Sequence, residues 1–190
     1  MTARFPGLVI RGWRTRVVHD HLRLFPNTRL VQTANGPDLS CSGWPDVPDG
    51  WRAIIETACK RLQTAVADEP QAELAISDMK EKFGGLRLDV SCLDLGAAAQ
   101  EAVSLAVDLA EARSTHICDV CGRRGRWSVR GGWYATRCEE HADGYAPVQG
   151  RNLDLQVITR FAGGEPVSTA RRYDSNTDTF VPAPVPDDQE

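Results

Sequence analysis

An α+β fold is predicted by three observations. Two stretches, 51–67 and 96–115, repeat apolar residues at helical spacing. Short alternating segments are punctuated by Gly-Gly pairs at 84–85, 131–132 and 163–164. A Cys-x-x-Cys pair at 118–121 is answered by Cys-x-x-His at 138–141. The expected form is a small mixed domain with β-hairpins, two main helices and a zinc module of treble-clef or zinc-ribbon type.

Length and composition bound the rest. A chain of 190 residues fits one domain with a small appended module. The expected division is an α+β core over 1–115, a zinc-binding hairpin module over 116–145, strands packed on the core over 146–180, and a disordered, Pro-rich and acidic tail over 181–190. The net charge of -4 argues against nonspecific wrapping of nucleic acid, which calls for a basic excess, although a local basic patch is compatible with it. No apolar run is long enough to span a membrane. The opening MTARFPGLVIRGWRTRVV lacks the continuous apolar stretch of a signal peptide, so the expectation is a cytoplasmic protein away from membranes. Metal-ligand spacing absorbs three of the six cysteines, and Cys41, Cys59 and Cys92 are expected to be buried or half-buried free thiols.

Taking the elements in order, Phe5, Leu8 and Ile10 suggest a short strand. Over 17–25 the apolar residues fit strand and helix equally. Residues 33–50, TANGPDLSCSGWPDVPDG, read as a loop or joint with Trp44 as an anchor. Trp51, Ile54, Ile55, Ala58, Leu62 and Val66 then form the apolar stripe of a helix, with Asp49 as its N-cap and Pro70 beyond its end.

Residues 72–92 read as a hairpin turning on Gly84-Gly85. That turn sets Lys82 opposite Arg87, Glu81 opposite Leu88 and Lys80 opposite Asp89. It puts Glu81, a candidate buried carboxylate, on the apolar face with Met79, Leu86 and Leu88. The same residues also fit a helix over 72–83 ended by Gly84. Residues 96–115 carry one narrow polar stripe (Glu101, Ser104, Asp108, Glu111, Thr115), which predicts a helix buried on two sides at the centre of the fold. Farther on, the alternating run LDLQVITRF at 153–161, a turn at Gly163-Gly164 and PVSTARRYDSNTDTF suggest a further hairpin.

Cys118, Cys121, Cys138 and His141 carry the strongest chemical signal. Ligands paired two residues apart bite one ion in a tight knuckle, and two knuckles complete a tetrahedron of three thiolates and an imidazole. Gly122 lets the first knuckle turn, and the 16 residues between the pairs fit a hairpin turning at Gly131-Gly132. The expectation is one structural Zn²⁺ per chain, because four protein ligands leave no position open for catalysis. His116 is a nearby substitute ligand. The arginines around the site, interleaved with aromatics, suit nucleic-acid phosphates and bases or an acidic protein. The candidates for partner or anion binding are therefore Lys80, Lys82, Arg87, Arg124, Arg126, Trp127, Arg130 and Trp133.

KEKFGGLRLDV at 80–90, STHICDVCGRRG at 114–125 and GWYATRCEEH at 132–141 resemble a group of small bacterial and phage-encoded proteins. That group carries KEKFGxLR, a helix, then C-x-x-C-G and C-x-x-H. The resemblance covers residues 76–142 and implies the architecture and the zinc ligands, with no activity attached. It marks Lys80, Glu81, Lys82, Phe83, Gly84, Leu86 and Arg87 as signature positions.

Nucleotide-binding glycine loops, G-x-S-x-G and H-E-x-x-H are absent from the sequence. The leading expectation is a non-enzymatic, zinc-stabilised protein-interaction module of inhibitor, immunity or adaptor type. The alternatives are a nucleic-acid-binding protein using the Arg/Trp-rich zinc hairpin, and a metal-dependent phosphoesterase gathering Asp78, Glu81 or Asp89 in a cleft.

Overall fold

The computed structural model describes residues 4–150, 152–162 and 165–186. The fold is α+β, with three α-helices and several small antiparallel sheets.

The first helix, α1 (Trp13–Asp20), resolves the ambiguity of 17–25 as helical and buries Val17 and Val18. No strand forms around Phe5, Leu8 and Ile10, which lie in turn and irregular backbone. Strands β1 (Arg29–Thr33) and β2 (Gly36–Ser40) pair across Ala34 and Asn35, so that the turn and β2 fall inside the stretch 33–50 read as a loop. Asn35-Gly36 is a hairpin signal that Pro37 masks, since proline is tolerated only at a sheet edge. Trp44 packs against the core as expected.

Helix α2 (Arg52–Ala65) follows a single 3-10 turn and buries Ile54, Ile55, Ala58, Cys59 and Leu62. Asp49 does not cap it. Its carboxylate instead accepts from Trp13 Nε1 at 2.9 Å and Arg14 Nη1 at 2.7 Å, tying α1 to the start of α2. Trp51, fully buried, donates from Nε1 to the carbonyl of Ile117 at 3.0 Å.

Strands β3 (Glu73–Lys82) and β4 (Gly85–Leu93) form the expected hairpin, not a helix, but in another register. The turn is Phe83-Gly84. It places Lys82 opposite Gly85, Glu81 opposite Leu86, Lys80 opposite Arg87 and Met79 opposite Leu88. Face parity survives this shift, so Met79, Leu86 and Leu88 are buried as predicted. Glu81 shares their face but lies past the rim of the core. It is exposed, and its Oε1 accepts the N–H of Gly84 at 2.6 Å. An irregularity between Ile76 and Asp78 lets the buried set pass from Leu74 and Ile76 to Met79.

Helix α3 (Ala97–Ser114) packs on α2 and β4, but it is not the centre. Its buried face is mostly alanine, and Leu105 remains 39% exposed. The largest fully buried side chains come instead from α2, Trp51, the Leu24-Phe25 turn and the β3–β4 hairpin. The free edge of β4 is closed by α3. Leu86 N–H donates to Ser114 Oγ at 2.8 Å and Leu88 N–H to Glu111 Oε1 at 3.1 Å, which removes a pairing edge.

Beyond α3 come β5 (Arg126–Arg130), β6 (Trp133–Arg137) and the short β7 (Ala146–Pro147), in the order β6-β5-β7. The last sheet runs β10-β9-β8, from β8 (Leu155–Ala162), β9 (Glu165–Asp174) and β10 (Thr179–Ala183). The turn expected at Gly163-Gly164 lies outside the described residues. Residues 181–183, read as the start of a tail, belong to β10. Tyr173 anchors this sheet against Leu109 and Ala112 of α3. Its hydroxyl donates to Asp178, whose carboxylate also receives Arg61 and Arg113. Cys41, Cys59 and Cys92 are free, and burial pushes the Cys59 thiol up to about 12. Among the described residues no helix is long and apolar enough to cross a membrane.

Candidate metal centre

Cys118 and Cys121 sit on a knuckle after α3. Cys138 and His141 flank the 3-10 turn Glu139–His141 that follows β6. The order is knuckle, hairpin, helical turn, and it brings the four ligand atoms within 4.8 Å of one another. Cys121 Sγ and Cys138 Sγ are 3.7 Å apart, Cys118 Sγ and His141 Nδ1 3.7 Å, and Cys138 Sγ and His141 Nδ1 3.2 Å. A tetrahedral site with bonds of about 2.3 Å to sulfur and 2.0–2.1 Å to nitrogen has edges of roughly 3.5–3.8 Å. The four residues are therefore placed to hold a metal ion.

The surroundings act differently on two of the thiols: burial, then the neighbouring Cys118, pushes Cys138 up, whereas Cys121 is favoured as the thiolate. Cys121 is pulled down to about 6 by the backbone N–H of Arg123, then by its guanidinium. Arg123 in turn is gripped by Glu140. Gly122, at φ +75°, turns the knuckle and donates to the carbonyl of Cys118 at 2.9 Å. His116, the substitute ligand, lies outside the cluster, and its Nε2 is 2.6 Å from Asp154 Oδ1.

The knuckle is locked to the core at two points that the sequence reading did not include. Gly50 N–H donates to Asp119 O at 2.8 Å, and a Cβ there would stand 2.2 Å from Cys118 O. On the other side, the tip of the β3–β4 hairpin docks on the β5–β6 hairpin. Trp127 Nε1 donates to Phe83 O at 2.7 Å and Thr136 Oγ1 to Gly84 O at 2.7 Å. The KEKFGGLR segment is this joint: Glu81 closes the turn, Phe83 and Gly84 meet the β5–β6 hairpin, and Leu86 and Arg87 reach α3.

The candidate binding residues divide between the two faces of β5–β6. Trp127 lies on the face that meets the hairpin tip, stacked on Tyr134 at 4.6 Å with Phe83 edge-on to Tyr134. Lys82 and Arg87 border the same ledge, a cavity of about 330 Å³. Arg87 is paired with Glu111, whose carboxyl is pushed up by burial despite that arginine. The opposite face holds Arg126, Arg130 and Trp133, and Arg124 joins Arg126 along a separate groove. Lys80 belongs to neither face and is paired with Asp78. Asp78 stands opposite Asp89 across β3–β4, and among the described residues neither joins Glu81 in a group of three or more possible metal ligands.

No family model, curated protein or solved structure matches this chain.

Proposed function

We propose that this chain is a non-enzymatic, zinc-stabilised protein-interaction module of the inhibitor, immunity or adaptor kind. Three sulfurs and one nitrogen in a closed tetrahedron support zinc in a structural role. The ion holds the β5–β6 hairpin rigid, and the hairpin presents the aromatic ledge to a protein partner.

One observation carries the reading. Phe83 takes φ +53° at the first position of its turn, with its ring 65% exposed. A bulky residue in left-handed backbone costs roughly 1–2 kcal/mol, and asparagine or glycine would serve the turn without that cost. Strain spent on holding an aromatic ring in water points to what the ring meets. Tyr134 supports it from below, and Lys82 lies 5.5 Å from its centroid. Aromatic anchors beside cations are what interface hot spots consist of.

The test is Phe83→Asn, which relieves the strain and removes the ring. Full-length protein drawn gently from its own host cells is weighed by native mass spectrometry. The expected result is one defined protein partner on the parent chain and none on the variant, with metal content unchanged. A partner retained by Phe83→Asn, or none on the parent chain, would overturn the reading.

A further inference from the structure

The second face of the zinc hairpin supports a separate inference. Arg126 stands directly opposite Arg137 across β5–β6. Like charges in that position destabilise a sheet unless an anion lies between them. Arg137 is relieved by Asp119 and Arg123 by Glu140. Arg124 donates to the uncharged hydroxyl of Ser175, and Arg130 to the backbone carbonyl of Asp143. Among the described residues the guanidinium of Arg126 has no hydrogen bond or ion pair. Three arginines thus lack a carboxylate partner there, on a chain of net charge -4.

Arg124 and Arg126 line a groove of about 1040 Å³ beside the metal ligands, together with Tyr145 and the carboxylates Glu139 and Glu140, the latter paired with Arg123. Small-molecule sites are about 300–1,000 Å³, so the groove suits an extended ligand. Arg130 does not line the groove itself but stacks 4.7 Å over the ring of Tyr145, which does, and Trp133, opposite Arg130 across β5–β6, is 77% exposed. Acidic peptides would satisfy the arginines but have no use for an open indole plane. Nucleobases stack on such a plane while their phosphates meet the arginines.

We propose that this groove binds single-stranded nucleic acid, with Arg124, Arg126 and Arg130 taking phosphates and Trp133 stacking a base. The inference does not depend on the protein partner, because Phe83 lies on the other face of the hairpin.

The test uses the full-length, metal-loaded chain and fluorescein-labelled oligo(dT) and oligo(U) of about twelve nucleotides, a length within the usual single-strand site sizes. Anisotropy is expected to show binding that weakens with salt, at a log–log slope of about -2 for three phosphates. Arg124→Ala with Arg126→Ala should weaken binding at least about tenfold and flatten that slope. Trp133→Ala should weaken it about tenfold with the slope unchanged. Phe83→Asn should bind as the parent does. Metal analysis confirms that each variant is folded at the centre. The inference fails if binding is absent at low salt, if the arginine pair or Trp133 can be removed without loss, or if polyglutamate competes as well as the oligonucleotide.

Discussion

Trp127 Nε1 donates to the carbonyl of Phe83 at 2.7 Å, and this bond with its neighbour from Thr136 to Gly84 fastens the β5–β6 hairpin to the core. Thr136 is fully buried. Thr136→Val keeps its shape and strands the Gly84 carbonyl, for an expected loss of about 1–3 kcal/mol. Trp127→Phe keeps the stack on Tyr134 and should cost less, about 0.5–1.5 kcal/mol. Urea unfolding of the two variants checks both the loss and its order.

Gly84 should be the least replaceable residue of the joint. Its φ is +78°, and a Cβ would stand 2.8 Å from the backbone nitrogen of Ala135. Gly131, at φ +55°, has open space around it. Gly131→Ala should therefore cost only the left-handed backbone, roughly 1–2 kcal/mol. Gly84→Ala adds a backbone clash and should cost clearly more in the same denaturation series. Equal costs would mean that the tip does not press on β6.

These two sites also explain what the sequence did and did not reveal. The ligand set was legible because its spacing is local. The stripes of α2 and α3 were legible because an amphipathic period survives any tertiary context. The hairpin register was not, because local turn chemistry favours Gly84-Gly85, whereas the turn formed is Phe83-Gly84 with Phe83 in left-handed backbone. What local sequence does not carry is the docking of the tip, where Trp127 and Thr136, 44 and 52 residues away, donate to the carbonyls of Phe83 and Gly84. Glu81 followed from the same gap: parity gave its face correctly, and only the extent of the core shows that it stands beyond the rim. The β1–β2 hairpin was signalled by Asn35-Gly36 and obscured by the prolines and glycines around it.

Ser114 and Glu111 close the edge of β4, and Ser114 is fully buried. Ser114→Ala leaves the Leu86 N–H without its acceptor, for about 1–3 kcal/mol. Hydrogen exchange should show Leu86 losing protection while Val90 keeps it.

Asp49 gives a pH signature. Hydrogen bonds from Trp13, then from Arg14, hold its carboxyl below the usual aspartate value. A depressed folded value stabilises above the unfolded value and is lost as pH falls through the folded one. Asp49→Asn should melt below the parent protein at neutral pH, and the gap should narrow as the buffer is acidified below the aspartate range. A gap constant with pH would remove the link between α1 and α2 from the account.

The centre of the account is the cluster of Cys118, Cys121, Cys138 and His141, placed to hold a metal ion and proposed to close the fold around zinc. The direct measurement is the intact mass of the native full-length chain, with and without Cys121→Ser. The parent should carry one zinc, and the variant should carry none and lose cooperative unfolding of residues 117–145, since binding energy there is folding energy. Full zinc content and unchanged cooperative unfolding in Cys121→Ser would contradict it.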